Sequence, residues 1–292
     1  MVLHRFLLHN DTIREVSEPG LSPGQVGLLS GWGVFSTLRV ADGVLFAFER
    51  HWARIMRDAA SFHVAVPEDS ETVRRRLLHL VQANGAQNST LRLVIVRNGG
   101  GMWADPEPKR PSDVIALTAD SKDWGDGVRL AVQKNARHAA SPFAGTKILS
   151  WSMNLTWLES AQSRGFEEVI LLNEREEVSE CTSANIFAAK GHRVWTPPLS
   201  SGCLPGITRE LLLGEIHLPG IQIEEKTLTI KDLLEADEVF ITSTTRDLLP
   251  VVEIEGEKAG TADSARLALS KAFAGFLERY VAEHAETVGA GD

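Results

Sequence analysis

The chain alternates between two kinds of apolar pattern, and this alternation limits the folds that it can adopt. Runs rich in β-branched residues, such as TLRLVIVR at 90–97 and EVILLN at 168–173, favour strands. Elsewhere, at 49–62 and near the end of the chain at 264–284, apolar side chains recur at helical spacing. The sequence therefore predicts an α+β fold.

A polar stretch rich in Gly and Asp, at 120–127, marks the predicted domain boundary. With 292 residues the chain is about twice the usual domain length. We predict a smaller N-terminal α/β domain over residues 1–120, a linker at 121–125 and a larger C-terminal domain over residues 126–292. A loop inside a single domain has the same composition, so the sequence leaves that alternative open.

Charge and apolar patterns argue against two classes of partner. The formal net charge is -9 and the sequence has no basic stripe, so the electrostatic attraction that drives nucleic-acid binding is missing. The chain has no uninterrupted run of about 18 apolar residues, and charged and polar residues recur every few positions in residues 1–16. We therefore expect neither a membrane span nor a signal peptide, and we predict a cytoplasmic protein.

The cysteines and histidines do not suggest a metal site. Cys181 and Cys203 are the two cysteines and lack a CxxC spacing, and the nine histidines contain no HExxH or HxH pair. We expect two reduced thiols and no bound metal.

Three segments are candidates for chemistry. Lys147, in FAGTKILSW, precedes apolar residues, a setting in which desolvation lowers the pKa of an amine and makes it nucleophilic. In LPGITRELLL, at 204–213, Pro-Gly precedes a helix whose first N–H groups suit a phosphate. The hydroxyls of TSTT, at 242–245, can donate to an anion. A surface lysine, an ordinary helix start and a Thr-rich strand explain the same residues, so each signal alone is ambiguous.

Arginines inside apolar strands are a fourth signal. Arg39 shares a strand face with Phe35 and Thr37, and Arg92 takes the opposite face from Arg97. An arginine on an inward face requires an anion, which either a substrate carboxylate or a structural carboxylate can supply.

In this order, HWARI, Lys147, SECTSANIF, LPGITRE and FITSTT resemble the fold-type IV pyridoxal-phosphate enzymes. That family includes branched-chain aminotransferases, D-amino-acid aminotransferases and aminodeoxychorismate lyases. The similarity extends over nearly the whole chain. It implies a smaller α/β domain, a larger domain with a β-barrel-like core, pyridoxal 5'-phosphate as the cofactor, and a homodimer.

The resemblance also implies roles for individual residues. Lys147 matches the Schiff-base lysine that moves the proton at the substrate α-carbon. Glu180 matches the carboxylate that pairs with the protonated pyridine nitrogen, and the small residues after it are expected to bring the backbone close to the cofactor. The other implied cofactor contacts are Arg54, the backbone of Ile207, Thr208 and Thr244 at the phosphate, and Leu204 on the pyridine ring.

Substrate contacts follow from the same resemblance. Ser243 and Thr245 flank Thr244, where the family meets the substrate carboxylate. An arginine among Arg39, Arg92 and Arg97 is expected to bind the second carboxylate of a substrate such as glutamate or 2-oxoglutarate. The expected apolar walls are Trp32, Phe35, Met102, Trp103 and Trp151.

The branch within the family is harder to assign. Ser36-Thr37 stands where branched-chain enzymes usually have Glu-Gly, and NGGGMWADP lacks the Arg-x-His of D-amino-acid aminotransferases. FSTLRV, RNGGG and SECTSANIF resemble the lyases. We expect an aminotransferase that is similar to the branched-chain enzymes and acts on an amino acid and a 2-oxo acid. The alternatives are a lyase that releases pyruvate and a non-catalytic cofactor-binding protein.

Overall fold

The computed structural model describes residues 2–18, 20–22, 24–101 and 110–285. The chain divides into two compact units. Unit 1 contains Met1–Lys122, Lys147–Trp151 and Leu277–Asp292, and unit 2 contains Asp123–Thr146 and Ser152–Phe276.

Unit 1 is built on a six-stranded sheet in the order β2-β1-β6-β5-β3-β4, with every neighbouring pair antiparallel. Two longer helices and one short helix accompany it. The strands are β1 (Leu3–His9), β2 (Thr12–Glu15), β3 (Gly33–Ala41), β4 (Val44–Leu45), β5 (Ser89–Arg97) and β6 (Ser112–Asp120), and the helices are α1 (Val26–Ser30), α2 (Phe48–Ser61) and α3 (Ser70–Ala83).

The Ala-Asp-Gly sequence at 41–43, between two apolar runs, predicts a tight hairpin turn, and the structure places Asp42-Gly43 at the connection between β3 and β4. Both residues have positive φ, 48° and 81°, as the tight turn of a two-residue hairpin requires. Because β4 has only two residues, the chain passes at once into α2.

Helices α2 and α3 pack on one face of this sheet. Ile55 and Leu77 from the helices join Val34, Leu38 and Leu93 from the strands in one buried cluster. Side chains alternate between the two faces of a strand. The odd-numbered residues of β3 and the even-numbered residues of β5 therefore lie on the sheet face that is turned away from α2 and α3. That face carries Phe35, Arg39 and Arg92.

Unit 2 contains a nine-stranded mixed sheet that curls into a half-barrel. Its strand order is β12-β11-β10-β13-β14-β7-β8-β9, and β15 pairs with β14. The strands are β7 (Val128–Gln133), β8 (Glu168–Leu172), β9 (Val178–Cys181), β10 (Asn185–Lys190), β11 (Arg193–Thr196), β12 (Gln222–Glu225), β13 (Glu238–Ser243), β14 (Asp247–Ile254) and β15 (Glu257–Lys258).

Apolar residues from these strands, such as Leu130, Ile170, Ile186 and Ile241, form the core of unit 2. The predicted α+β fold with a β-barrel-like core is confirmed. The remaining helices are α4 (Ser152–Ser163), α5 (Ile207–Gly214), α6 (Ile230–Leu234) and α7 (Ser264–Ala285), and the part of α7 from Leu277 onward belongs to unit 1.

The sequence division into 1–120 and 126–292 differs from these units in two segments. Residues 147–151 belong to unit 1 because the Phe35 N–H donates to the Lys147 carbonyl at 3.1 Å. The end of α7 belongs there as well, since the Tyr280 hydroxyl donates to Glu49 Oε2 at 2.7 Å. Contacts between such distant positions leave no local pattern in the sequence.

Within the described ranges, we find no helix with the length and apolar character needed to cross a membrane.

Candidate active site

Lys147 lies on a short segment that extends the sheet of unit 1 along β3. Its carbonyl accepts from the Phe35 N–H, and the Leu149 N–H donates to the Gly33 carbonyl at 3.0 Å. A side chain at Gly33 would place its Cβ only 2.5 Å from the Ile95 carbonyl oxygen. Glycine at this position therefore lets three strand-like segments lie side by side, and the pairing fixes the backbone at Lys147.

The ring of Phe35 contacts two cationic side chains. Lys147 Nζ is 4.6 Å and the Arg92 guanidinium carbon is 4.8 Å from the ring centroid. Trp151 contacts the same ring edge to face, with centroids 6.2 Å apart. Among the residues that the structure describes, Arg92 has no hydrogen bond or ion pair, and partial desolvation lowers its pKa although the side chain remains exposed.

Helix α2 presents three buried polar side chains, His51, Arg54 and Asp58, at helical spacing on one face. Arg54 Nη2 donates to Ser36 Oγ at 2.8 Å, and Ser36 Oγ lies 2.8 Å from His51 Nδ1. Asp58 Oδ2 accepts from the Lys147 N–H at 3.0 Å. The helix therefore brings the predicted cofactor residue Arg54 and the backbone of Lys147 to one side of unit 1.

His51 is neutral in this environment. Burial lowers its pKa well below the ordinary value, and the charges of Arg54 and Lys147 lower it further. Because Ser36 Oγ already accepts from Arg54, the Ser36 hydroxyl can donate to His51 Nδ1. A neutral His51 adds no third positive charge beside Arg54 and Lys147.

In unit 2, Glu180 lies on β9 and is buried. This strand has only four residues, too few for a periodic pattern to predict it from the sequence. Arg137 Nε donates to Glu180 Oε1 at 3.0 Å, and the Leu204 N–H donates to Glu180 Oε2 at 3.0 Å. Arg137 Nη1 also donates to Asn154 Oδ1 at 3.2 Å. Both oxygens of Glu180 are therefore held by hydrogen bonds, one from a cation and one from the backbone.

The segment from Leu204 to Thr208 is held close to Glu180 and to the end of β13. The Asn185 side-chain amide donates to the Leu204 carbonyl at 2.8 Å, and Asn185 pairs with Thr242 in the sheet register. A Cβ at Gly206 would lie 2.0 Å from Asn185 Oδ1, so this close approach requires glycine. The fold of unit 2 thus brings together the three predicted segments SECTSANIF, LPGITRE and FITSTT.

Helix α5 begins at Ile207 with no side-chain cap from Gly206. Ile207 and Thr208 are buried, and within the described part of the chain their backbone N–H groups have no acceptor. Such donors at a helix start attract an anion. Thr244 and Thr245 follow β13 in a turn closed by the Arg246 N–H, which donates to the Ser243 carbonyl at 3.3 Å.

A buried ion pair that sequence reasoning missed holds the two hydroxyl-rich turns of unit 2 together. Arg246 Nη2 donates to Glu168 Oε2 at 3.1 Å, and Arg246 Nη1 donates to the Ser183 carbonyl at 3.2 Å. The hydroxyls of Thr182 and Ser183 also donate to Glu168. The small residues of SECTSANIF therefore bind a carboxylate of the protein. A signal existed in the sequence, namely a glutamate at the start of the apolar run EVILL.

Neither cysteine is a nucleophile. Burial raises the pKa of Cys203 to about 12, with the charge of Glu180 adding to the effect. Burial also raises the pKa of Cys181 well above its ordinary value. Both thiols are free and protonated at neutral pH. The described residues contain no group of three or more His, Cys, Asp or Glu suited to a metal ion.

The three predicted arginines of unit 1 separate into two sets. Arg39 and Arg92 lie on the sheet face that carries Phe35, and in the register Arg92 is directly opposite Thr37. Arg97 lies on the other face, where it stacks on Trp32 and donates to the His63 carbonyl at 3.0 Å. The structure thus does not bring Arg97 and Trp32 to Phe35. Met102 and Trp103 lie outside the described residues.

Comparison with known proteins now identifies the family. The family described as amino-transferase class IV matches residues 33–254, so the chain belongs to the class IV aminotransferases. This match confirms the predicted family and enzyme class, whose cofactor is pyridoxal 5'-phosphate.

Individual relatives cover most of the chain. A Methanocaldococcus jannaschii protein provisionally named branched-chain-amino-acid aminotransferase is 32% identical over 235 residues, which cover 79% of this chain and 81% of the relative. D-alanine aminotransferase from Bacillus licheniformis is 30% identical over 273 residues, which cover 87% of this chain and 90% of the relative. The crystal structure of the Thermoproteus uzoniensis branched-chain aminotransferase with norvaline matches with a TM-score of 0.85 at 25% identity. The match covers 95% of this chain and 97% of that structure.

The Glu168–Arg246 pair yields a prediction for stability. Glu168→Gln leaves the buried Arg246 guanidinium without its carboxylate, and we expect the free energy of unfolding to fall by about 3–5 kcal/mol. The matched control is Glu167→Gln, which removes a half-exposed partner of Arg129 and should cost about 1 kcal/mol or less. Urea unfolding measures both. Equal losses in the two variants would contradict the structural role of the buried pair.

His51 yields a prediction for pH dependence. In the unfolded chain this histidine gains a proton as the pH falls through about 6.5. In the folded protein its lowered pKa keeps the imidazole neutral at that pH. The contribution of His51 to stability is therefore present above that pH and is lost as the pH falls below it. His51→Gln should flatten the loss of stability between pH 7 and pH 5, and the exposed His138→Gln should not. Identical slopes in both variants would refute a neutral buried His51.

Proposed function

We propose that the protein is an aminotransferase that moves an amino group between an amino acid and a 2-oxo acid with pyridoxal 5'-phosphate. The observation that carries this proposal is the placement of Lys147 Nζ and the Arg92 guanidinium against one ring, that of Phe35. An amine can bond to a carbonyl carbon, and Arg92, which has no carboxylate partner among the described residues, can bind the carboxylate of an amino acid.

The residues present fit the chemical groups of the cofactor. Its pyridine nitrogen requires a carboxylate partner, and the Glu180 carboxylate is held in place by Arg137 and the Leu204 N–H. Its phosphate requires several donors. We assign these to Arg54, the N–H groups of Ile207 and Thr208, the Thr208 hydroxyl and Thr244. We further propose that Leu204 packs on the pyridine ring.

When bound, the cofactor supplies an electron sink for the electrons released at the substrate α-carbon. Lys147 would hold it covalently and carry the proton to and from that carbon. Glu180, held in place by Arg137, would pair with the protonated pyridine nitrogen. A neutral His51 leaves the positive charge of Arg54 available for the phosphate.

We propose that Arg92 binds the distal carboxylate of a dicarboxylic substrate, such as glutamate or 2-oxoglutarate. Its guanidinium is fixed on Phe35 and has no competing ion pair among the described residues. Arg39 lies on the same face of the sheet and is a second candidate for this contact. Ser243 and Thr245 are proposed to meet the α-carboxylate. Arg97 is not included, because its contacts lie on the opposite face.

Relatives named for branched-chain amino acids and for D-alanine define the range of second substrates to test. We propose that the amino donor belongs to this range, and both L- and D-amino acids need to be tried against 2-oxoglutarate. The homodimer and the cytoplasmic location stay predictions.

Lys147→Ala should lower turnover by about 10²- to 10⁴-fold or more, because the α-carbon proton loses its carrier. It should also abolish the visible absorption of the lysine-linked cofactor. Steady-state rates with the amino-acid panel and absorption spectra measure the two effects. The exposed Lys190→Ala is the control and should behave as the unchanged protein. An undiminished rate in Lys147→Ala would end the proposal.

Arg92→Gln should raise the KM for 2-oxoglutarate by about 10- to 100-fold, since one charge-assisted contact is worth about 1.5–3 kcal/mol. The KM for a monocarboxylic acceptor such as pyruvate should change far less. Arg97→Gln lies on the same strand but on the other face and is the matched control. Equal changes for both acceptors, or a larger effect from Arg97→Gln, would remove Arg92 from the substrate site.

A further inference from the structure

Asp58 is a buried carboxylate whose contacts tie it to the backbone of Lys147. It lies in the last turn of α2, one turn after Arg54, and its side chain is 1% exposed. Oδ2 accepts from the Lys147 N–H at 3.0 Å. Oδ1 accepts from Arg57 Nε at 2.9 Å, and Arg57 itself is half exposed.

A carboxylate at position 58 does not stabilise α2 itself. Burial penalises a carboxylate, and the negative end of a helix dipole penalises it again in the last turn. Arg57 balances the charge, so the remaining oxygen acts as a hydrogen-bond acceptor. That oxygen meets a backbone donor from a segment 89 residues away in the sequence.

The Lys147 peptide is thereby held from both sides. Its carbonyl accepts from the Phe35 N–H through the pairing with β3, and its N–H points away from β3 to Asp58. Pairing with β3 holds the segment along one edge, and the Asp58 contact holds it from the other side. Together they fix the direction of the Lys147 Cα–Cβ bond, and Nζ lies 4.6 Å from the centre of the Phe35 ring.

We infer that Asp58 is a positioning residue for Lys147, which holds the lysine backbone so that the amine reaches the reacting atoms in one orientation. This inference rests on the proposed role of Lys147 in transamination. It assigns no direct contact with substrate or cofactor to Asp58. The effect of Asp58 on rate therefore operates through the geometry of Lys147 alone.

The test compares three variants of the full chain loaded with pyridoxal phosphate. Asp58→Ala removes the acceptor and should lower kcat by about 10- to 100-fold, since misplacement of a catalytic group by about 1 Å has effects of this size. The KM for the amino donor should change little. Asp58→Asn keeps an acceptor for the Lys147 N–H and should restore kcat to within a few-fold of the unchanged protein.

The third variant, Asp69→Ala, separates positioning from stability. Asp69 caps α3 by accepting from the Thr72 N–H at 2.8 Å, so its loss destabilises unit 1 without touching Lys147. It should leave kcat unchanged. If Asp58→Ala does not fold, Asp58→Ser takes its place, because its hydroxyl is too short to keep the contact.

Amide hydrogen exchange gives a readout that does not depend on activity. In the protein without added cofactor, the amide of Lys147 should exchange faster in Asp58→Ala and near the original rate in Asp58→Asn and Asp69→Ala. If the unchanged protein shows no transamination, the proposed function fails while this measurement still tests the contact. Unchanged exchange in Asp58→Ala, or a kcat equal to that of Asp69→Ala, would overturn the positioning role.

Discussion

The site residues depend on one constraint, namely that a buried carboxylate must be supplied with donors. In the described part of the chain four carboxylates are buried, Asp58, Glu168, Glu180 and Glu238. Each accepts from donors contributed by a segment distant in the sequence. Asp58, Glu180 and Glu238 each accept a backbone N–H from that segment and so fix its main chain. Glu168 instead binds the side chain of Arg246.

Glu180 shows how such a contact supports the proposed chemistry. A carboxylate that is to pair with a ring nitrogen must be held in one position. Arg137 and the Leu204 N–H each donate to one oxygen of Glu180 and hold it in place. The same contact draws the start of α5 toward β9, because Leu204 lies just before the helix. One pair of hydrogen bonds therefore fixes the position of the carboxylate and the location of the helix whose N–H groups are proposed to bind phosphate.

The local sequence predicted several parts of this arrangement. Helical spacing gave α2 and α7, the Asp42-Gly43 turn gave the first tight hairpin, and strand parity placed Arg92 and Arg97 on opposite faces. These features depend on interactions between residues near each other in the chain. The motif order also indicated the family, which the family match confirms.

What the sequence did not predict depends on pairing between distant residues. The strand β9 has four residues, too few for a periodic pattern, and it forms because Ile170 and Leu171 pair with Cys181 and Glu180. The Glu168–Arg246 pair joins positions 78 residues apart. Asp58 stands in a helix that reads as an ordinary amphipathic helix, and its role emerges only when Lys147 is placed beside it.

The central claim is that Lys147 is the residue that carries the cofactor. The most direct measurement is to add pyridoxal phosphate, reduce the protein with borohydride, digest it and locate the modified lysine by mass spectrometry. We predict one pyridoxyl group, on the peptide that contains Lys147. A group on another of the nine lysines, or no stable modification, would contradict it.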